Sequence, residues 1–180
     1  MSSLIPSEAH CICDDVVVLT DAPFKVASGY LEVTGGGRNF KVNATGTMST
    51  VIDATPNLEP GEDYTLLAVN FPASIEPLLA MDDNSAPAAG NARLRVIHAS
   101  PDAPDVDVLV DNVVVLTNVP FKAISDYLEV AAGAHNIKVN AAGTSTSVIN
   151  VTPTLLDGKV YTVIALNQLA FIEPLLLTDN

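Results

Sequence analysis

The chain has 180 residues and a formal charge of −13, with only 8 Lys+Arg. That balance excludes nucleic acid and anionic lipid surfaces as partners, since both need a basic footprint. Hydrophobic residues make up 48% of the chain, but no apolar run approaches the roughly 18 residues of a membrane helix, so membrane insertion is excluded too.

From the N-terminus, MSSLIPSEAHCIC carries no basic n-region and no long apolar h-region, so no secretory signal peptide is visible. Cys11 and Cys13 alternate with Ile12, and strand residues two apart face the same way. Both are therefore expected in the core as structural thiols. Their Cα separation on an extended strand, about 6.6 Å, suits a bridge poorly. A C-x-C metal site completed by His10 is the sharper reading, but His10 projects to the opposite face and no fourth ligand presents itself.

Sliding the sequence by 97 residues lays Asp14–Asp83 on Asp111–Asn180 without a gap, and 39 of those 70 positions are identical. Glu8–Cys13 falls on Asp105–Val110 in the same register. Nothing in the first half answers to Arg93–Ala99. The chain is thus two copies of one module, the first without its opening strand. Residues 1–81 are the expected truncated module, 82–91 a small, polar, Pro/Gly-bearing linker, and 92–180 the complete module.

Period-2 alternation dominates, with turn signals every eight to twelve residues, the pattern of all-β sandwiches. In the second copy strands are expected at about 93–99, 106–110, 113–117, 126–131, 134–141, 144–151, 160–167 and 171–177. Asp111-Asn112 makes a two-residue hairpin, both residues tolerating positive φ. Gly36, Gly46, Gly133 and Gly143 mark further turns. Tyr64–Asn70 and Tyr161–Asn167 are apolar on both faces, so they should run centrally. Pro77 and Pro174 place the final strands at a sheet edge or a bulge. In the opening strand Leu94 and Val96 share a core face, while Arg93 and Arg95 share a wet one.

No residue pattern points to a reaction or a cofactor. Asp102, Asp105, Asp107 and Asp111 invite a Ca²⁺ site, with Asp102 and Asp105 the weak metal candidates. Their spacing is not that of an EF-hand loop, and aspartates beside prolines commonly cap turns. His98 is expected to be a satisfied structural histidine. Ser28 and Ser125 lack a nucleophile elbow or a base, so the chain is not read as an enzyme. The recurring Phe24/Phe121, Tyr30/Tyr127 and Tyr64/Tyr161 read as core positions. A sugar platform would want tryptophan, which the chain lacks.

The strings RVIHASPDAPDVDVLVDN, LTNVPFKAISDYLEV and KVNAAGTSTSVI resemble the secreted family known as domain of unknown function 4397. The resemblance covers the second copy from Arg93 onward and the first from about Glu8. It implies tandem immunoglobulin-like antiparallel β-sandwiches on exported or cell-surface proteins, with no assigned chemistry. Together these readings predict a non-enzymatic extracellular structural protein, its copies joined by β-strand complementation into a filament or other polymer. The expected assembly edge is Cys11 and Cys13 in the truncated module, Leu94 and Val96 as the pattern of the missing strand, and Phe171, Ile172 and Leu175 as the donor edge. A monomeric module binding a surface glycan or a protein partner is the alternative.

Overall fold

The protein is described by a computed structural model covering residues 8–45 and 49–180. The Met1–Ser7 segment, a candidate cover for the open slot, lies outside the described residues. The fold is all-β and divides between Met81 and Asp82 into two compact units, each a β-sandwich.

The second unit is complete. Its strands are β9 (Asn91–His98), β10 (Val106–Val110), β11 (Val113–Val119), β12 (Leu128–Ala131), β13 (Gly133–Ala134), β14 (Ile137–Ala141), β15 (Ser147–Val151), β16 (Thr154–Leu155), β17 (Val160–Leu166) and β18 (Glu173–Thr178). In the first unit β1 is Glu8–Cys13, β2 Val16–Pro23, β3 Gly36–Gly37, β4 Phe40–Ala44, β5 Thr50–Ala54, β6 Asn57–Leu58, β7 Asp63–Val69 and β8 Glu76–Asp82.

In the second unit one sheet runs β11-β10-β14-β15 and faces a sheet running β12-β9-β17-β18. The opening strand β9 is therefore central, not an edge. It lies antiparallel to β12, Leu128 opposite Leu94, and parallel to β17, Val163 opposite Val96. Leu94 and Val96 pack with Val108, Ile137, Leu155, Tyr161 and Val163 across the sandwich. β17, apolar on both faces, is buried along its whole length, as a strand flanked on both sides must be. Pro174 sits in β18, the outermost strand, where a missing N–H is tolerated.

Turn chemistry is shared between the units. Asp14-Asp15 and Asp111-Asn112 both take positive φ at two successive residues, the geometry of the tightest hairpins. A side chain on Gly35 would meet the Pro60 ring at 2.7 Å, so glycine is required there for space. The Tyr64 hydroxyl accepts the Glu59 N–H at 3.1 Å, and Tyr161 accepts that of Leu156 at 3.0 Å. A tyrosine early in a strand bonding back to the preceding corner is a hallmark of immunoglobulin-like sandwiches.

The first unit repeats the four-stranded sheet β11-β10-β14-β15 as β2-β1-β4-β5 and the small β13-β16 pair as β3-β6. Opposite the four-stranded sheet lies β7-β8 alone among the described residues. Leu31–Thr34, the counterparts of β12, form no strand. Among the described residues β7 has one strand neighbour, β8, where β17 has two.

Candidate strand-binding site

Losing a central strand opens a sandwich more than losing an edge. Among the described residues five apolar side chains of the first unit are buried, Cys13, Ile52, Leu58, Val69 and Ala80, against nineteen in the second. The difference concentrates where β9 would lie. Val108 is fully buried beneath Leu94 and Val96, whereas its counterpart Cys11 is half-buried. Ala165 is fully buried, whereas Ala68 is exposed. Tyr30, Leu31 and Val33 are 51%, 47% and 41% exposed, while Tyr127, Leu128 and Val130 beside β9 are half-buried.

Cys11 and Cys13 thus belong to the inner strand β1 of the opposite sheet, and Cys11 forms the floor of the open position rather than its edge. Both thiols are free. Burial pushes both upward, and the neighbouring Asp14 carboxylate adds to the rise at Cys13. His10 lies 3.7 Å from Asp21 instead of joining them. Of the expected donor edge, Phe171 sits in a short 3₁₀ turn, Leu169–Phe171, and is 72% exposed. Ile172 packs on the core, and Leu175 pairs with Ile164.

The arginines of β9 correct the expectation of a wet face. Arg95 is wholly buried, because β9 is interior and its second face is covered. Its Nε donates to Thr162 Oγ1 at 2.8 Å, and its guanidinium pairs with the buried Asp82 carboxylate. The Thr162 hydroxyl in turn donates to Asp179 Oδ2 at 2.6 Å. Burial raises Asp179, and burial pushes Tyr127 up to about 12. Arg93 binds Asp83 Oδ2 at 2.6 Å, which with Ser85 holds that carboxyl far below its usual range. The two guanidiniums stack on one ring, 4.9 and 5.0 Å from the centroid of Tyr127. Within the segment expected as a linker, Asp82, Asp83 and Ser85 hold β9, and the Gly90 N–H donates to Asp157 Oδ1.

The candidate aspartates accept backbone N–H groups of other segments, Asp105 through its main chain. Asp102 Oδ1 accepts the Leu169 N–H at 2.6 Å, and the Asp105 carbonyl accepts that of Ala142. Asp107 accepts the N–H groups of Asn118 and Gly143, which lower its pKa. No group of three or more His, Cys, Asp or Glu side chains among the described residues is placed to hold a metal ion. His98 is fully buried, its Nε2 3.2 Å from the Pro104 carbonyl and its Nδ1 accepting the Ser100 N–H, and burial lowers its pKa.

Compared with known proteins, residues 7–108 and 92–180 match the family described as domain of unknown function DUF4397. The chain belongs to the DUF4397 family. Its two matches share residues 92–108, so β9 from Ala92 onward and most of β10 fall within both DUF4397 segments. No curated protein matches the chain.

Sequence reasoning missed Arg95. Its burial follows from strand order, and its partners Thr162 and Asp82 lie 67 and 13 residues away. The available signal was an arginine enclosed by apolar residues at the centre of a strand.

Proposed function

We propose that this protein is a non-enzymatic structural component of the cell exterior, joined to other chains by strand complementation in its first unit. The observation that supports this reading is that, among the described residues, β7 has β8 as its one strand neighbour, where β17 of the second unit also lies beside β9. Filling the side of β7 away from β8 covers Cys11, Leu31 and Val33 and supplies β7 with a second ladder of backbone hydrogen bonds, the basis of β-augmentation. Each apolar side chain seated there contributes about 1.5–3 kcal/mol.

In the homotypic form a second copy donates its Phe171–Leu177 edge. β18 is the outermost strand of its sheet, and Phe171 and Leu176 are exposed, which favours that contact. The contact is head-to-tail, so repetition gives a filament or a ring. In the heterotypic form a different protein donates a lone extended segment, which makes the chain a protein-binding module. The interior position of β9 favours this form, because an edge strand arrives with its own sheet attached.

Multi-angle light scattering across micromolar concentrations separates the two. Species larger than the 18.8 kDa monomer, growing with concentration, are expected if copies join. A monodisperse monomer throughout overturns self-assembly and leaves the heterotypic form.

A further inference from the structure

We propose that the segment joining β9 to β10, Ala99–Asp105, is a proton-operated clasp, held closed by neutral His98 and released when that imidazole takes up a second proton. The proposal concerns the second unit and is independent of the strand-accepting reading of the first.

The clasp is built on a ring with no room for charge. His98 ends β9 opposite Ala165 in the parallel ladder, and it is fully buried. Its Nδ1 accepts the Ser100 N–H at 3.3 Å, which assigns the ring proton to Nε2, 3.2 Å from the Pro104 carbonyl. One neutral tautomer thus binds the segment near both of its ends. A second proton on Nδ1 would face the Ser100 N–H donor to donor and put a net charge in a site closed to water. Burial already lowers the His98 pKa.

The surroundings do little to hold that charge. β17 brings Ala165, and the turn Leu169–Phe171 has no ionisable residue. The stretch after β11 brings the Phe121 ring, edge-on at 6.4 Å between centroids. It also brings Lys122, a further positive charge, whose ammonium lies 5.8 Å from the Phe121 centroid. Asp105 favours protonation, but it is exposed on the segment itself, as is Asp102.

Beyond the ring, Asp102 Oδ1 accepts the Leu169 N–H and the Asp105 carbonyl accepts that of Ala142. Ser100 works against closure. It is fully buried, and its hydroxyl has no hydrogen-bond partner among the described residues. Opening hydrates that hydroxyl and the imidazolium together. The closed form is therefore intact above the ordinary histidine value of about 6.5 and is lost as pH falls below it.

Nitrogen-15 NMR of the full chain, titrated from about pH 8 to pH 4, tests the clasp. The His98 ring nitrogens report protonation, and the Ser100, Ala142 and Leu169 amides report closure. The ring is expected to become doubly protonated as those amides change with the same midpoint, while the amides of β9 and β17 hold. Ser100→Ala, relieved of the unpaired hydroxyl, should lower the midpoint by about one pH unit. His98→Gln keeps a donor and an acceptor but does not titrate, so it should abolish the step. A ring that stays neutral throughout, with unmoved amides, overturns the proposal. The same step in His98→Gln overturns it too, by placing the trigger outside the ring. Simultaneous loss of the β9 and β17 amides overturns it in favour of unfolding of the whole unit. Should His98→Gln fail to fold, Ser100→Ala decides: an unmoved midpoint overturns the clasp.

Discussion

Two side-chain arrangements in the second unit make opposite use of charge. Arg95 is buried beside Asp82 and Thr162, so its charge is tolerated because the Asp82 carboxylate pairs with it and the Thr162 hydroxyl accepts its Nε–H. Arg95→Ala leaves Asp82 buried without its counter-charge and should cost the second unit about 3–5 kcal/mol in denaturant unfolding. A loss below 1 kcal/mol would show that the carboxylate finds water, contrary to its burial. His135 works at the surface instead. Its Nδ1 meets Asp111 Oδ2 at 2.6 Å while Asp111 Oδ1 accepts the Asn136 N–H, and in the first unit Arg38, Asp14 and Asn39 form the same lock. The Asp111 bond is the main cause of the raised His135 pKa, and His135 is the main cause of the lowered Asp111 pKa. The His135 contribution is complete below its unfolded value near 6.5 and fades as pH rises through the higher folded value. That of Asp111 is present above its unfolded value and fades as pH falls through the depressed folded one. His135→Arg should therefore flatten the decline in melting temperature of the second unit between about pH 6 and pH 9. His98 titrates in both chains, so the difference between the two pH profiles isolates His135. Superimposable profiles would dismiss the lock.

A strand is defined by its neighbours as much as by its own residues, and β7 and β17 show this directly. Both are apolar on both faces, yet β17 is buried throughout while β7 is half-exposed, because only β17 lies beside β9. Matched truncations should expose that difference. Ile164→Ala removes a side chain 3% exposed in an interior strand and should cost about 2–5 kcal/mol. Leu67→Ala at the equivalent, half-buried position should cost less than half as much in the first unit's own transition. Equal costs would mean that β7 is already covered. The same comparison shows what the sequence carried. The repeat, the hairpin at Asp111-Asn112, the outer placement of Pro174 and the structural role of His98 are local properties, and local spacing encodes them. Strand order is not local. Arg93–Ala99 reads as a strand with a core side and a wet side whether it ends a sheet or lies inside one. The parallel pairing with β17, and with it the burial of Arg95, depends on residues 67 positions away. Cys11 was legible as a core residue but not as the floor of an open position, because that follows from which sheet β9 joins.

On the scale of the whole chain, the two units share a sequence pattern and differ in how much apolar surface they remove from water. With five buried apolar side chains described in the first unit and nineteen in the second, the hydrophobic term that offsets chain entropy is far smaller in the first. Unfolding should therefore proceed in two steps, the first unit opening at lower denaturant. The two cysteines, both in the first unit, report on that order. Cys11 should react with an alkylating reagent under native conditions. Cys13, 5% exposed, should react only across the first transition. Far-UV dichroism would then retain the signal of the second unit until a later, steeper transition. If both thiols instead become reactive together with loss of the second unit's core, the units stabilise one another and the open position is closed in solution. If Cys13 labels as fast as Cys11 without denaturant, the first unit is not folded alone, and a donor strand is needed to fold it as well as to join it.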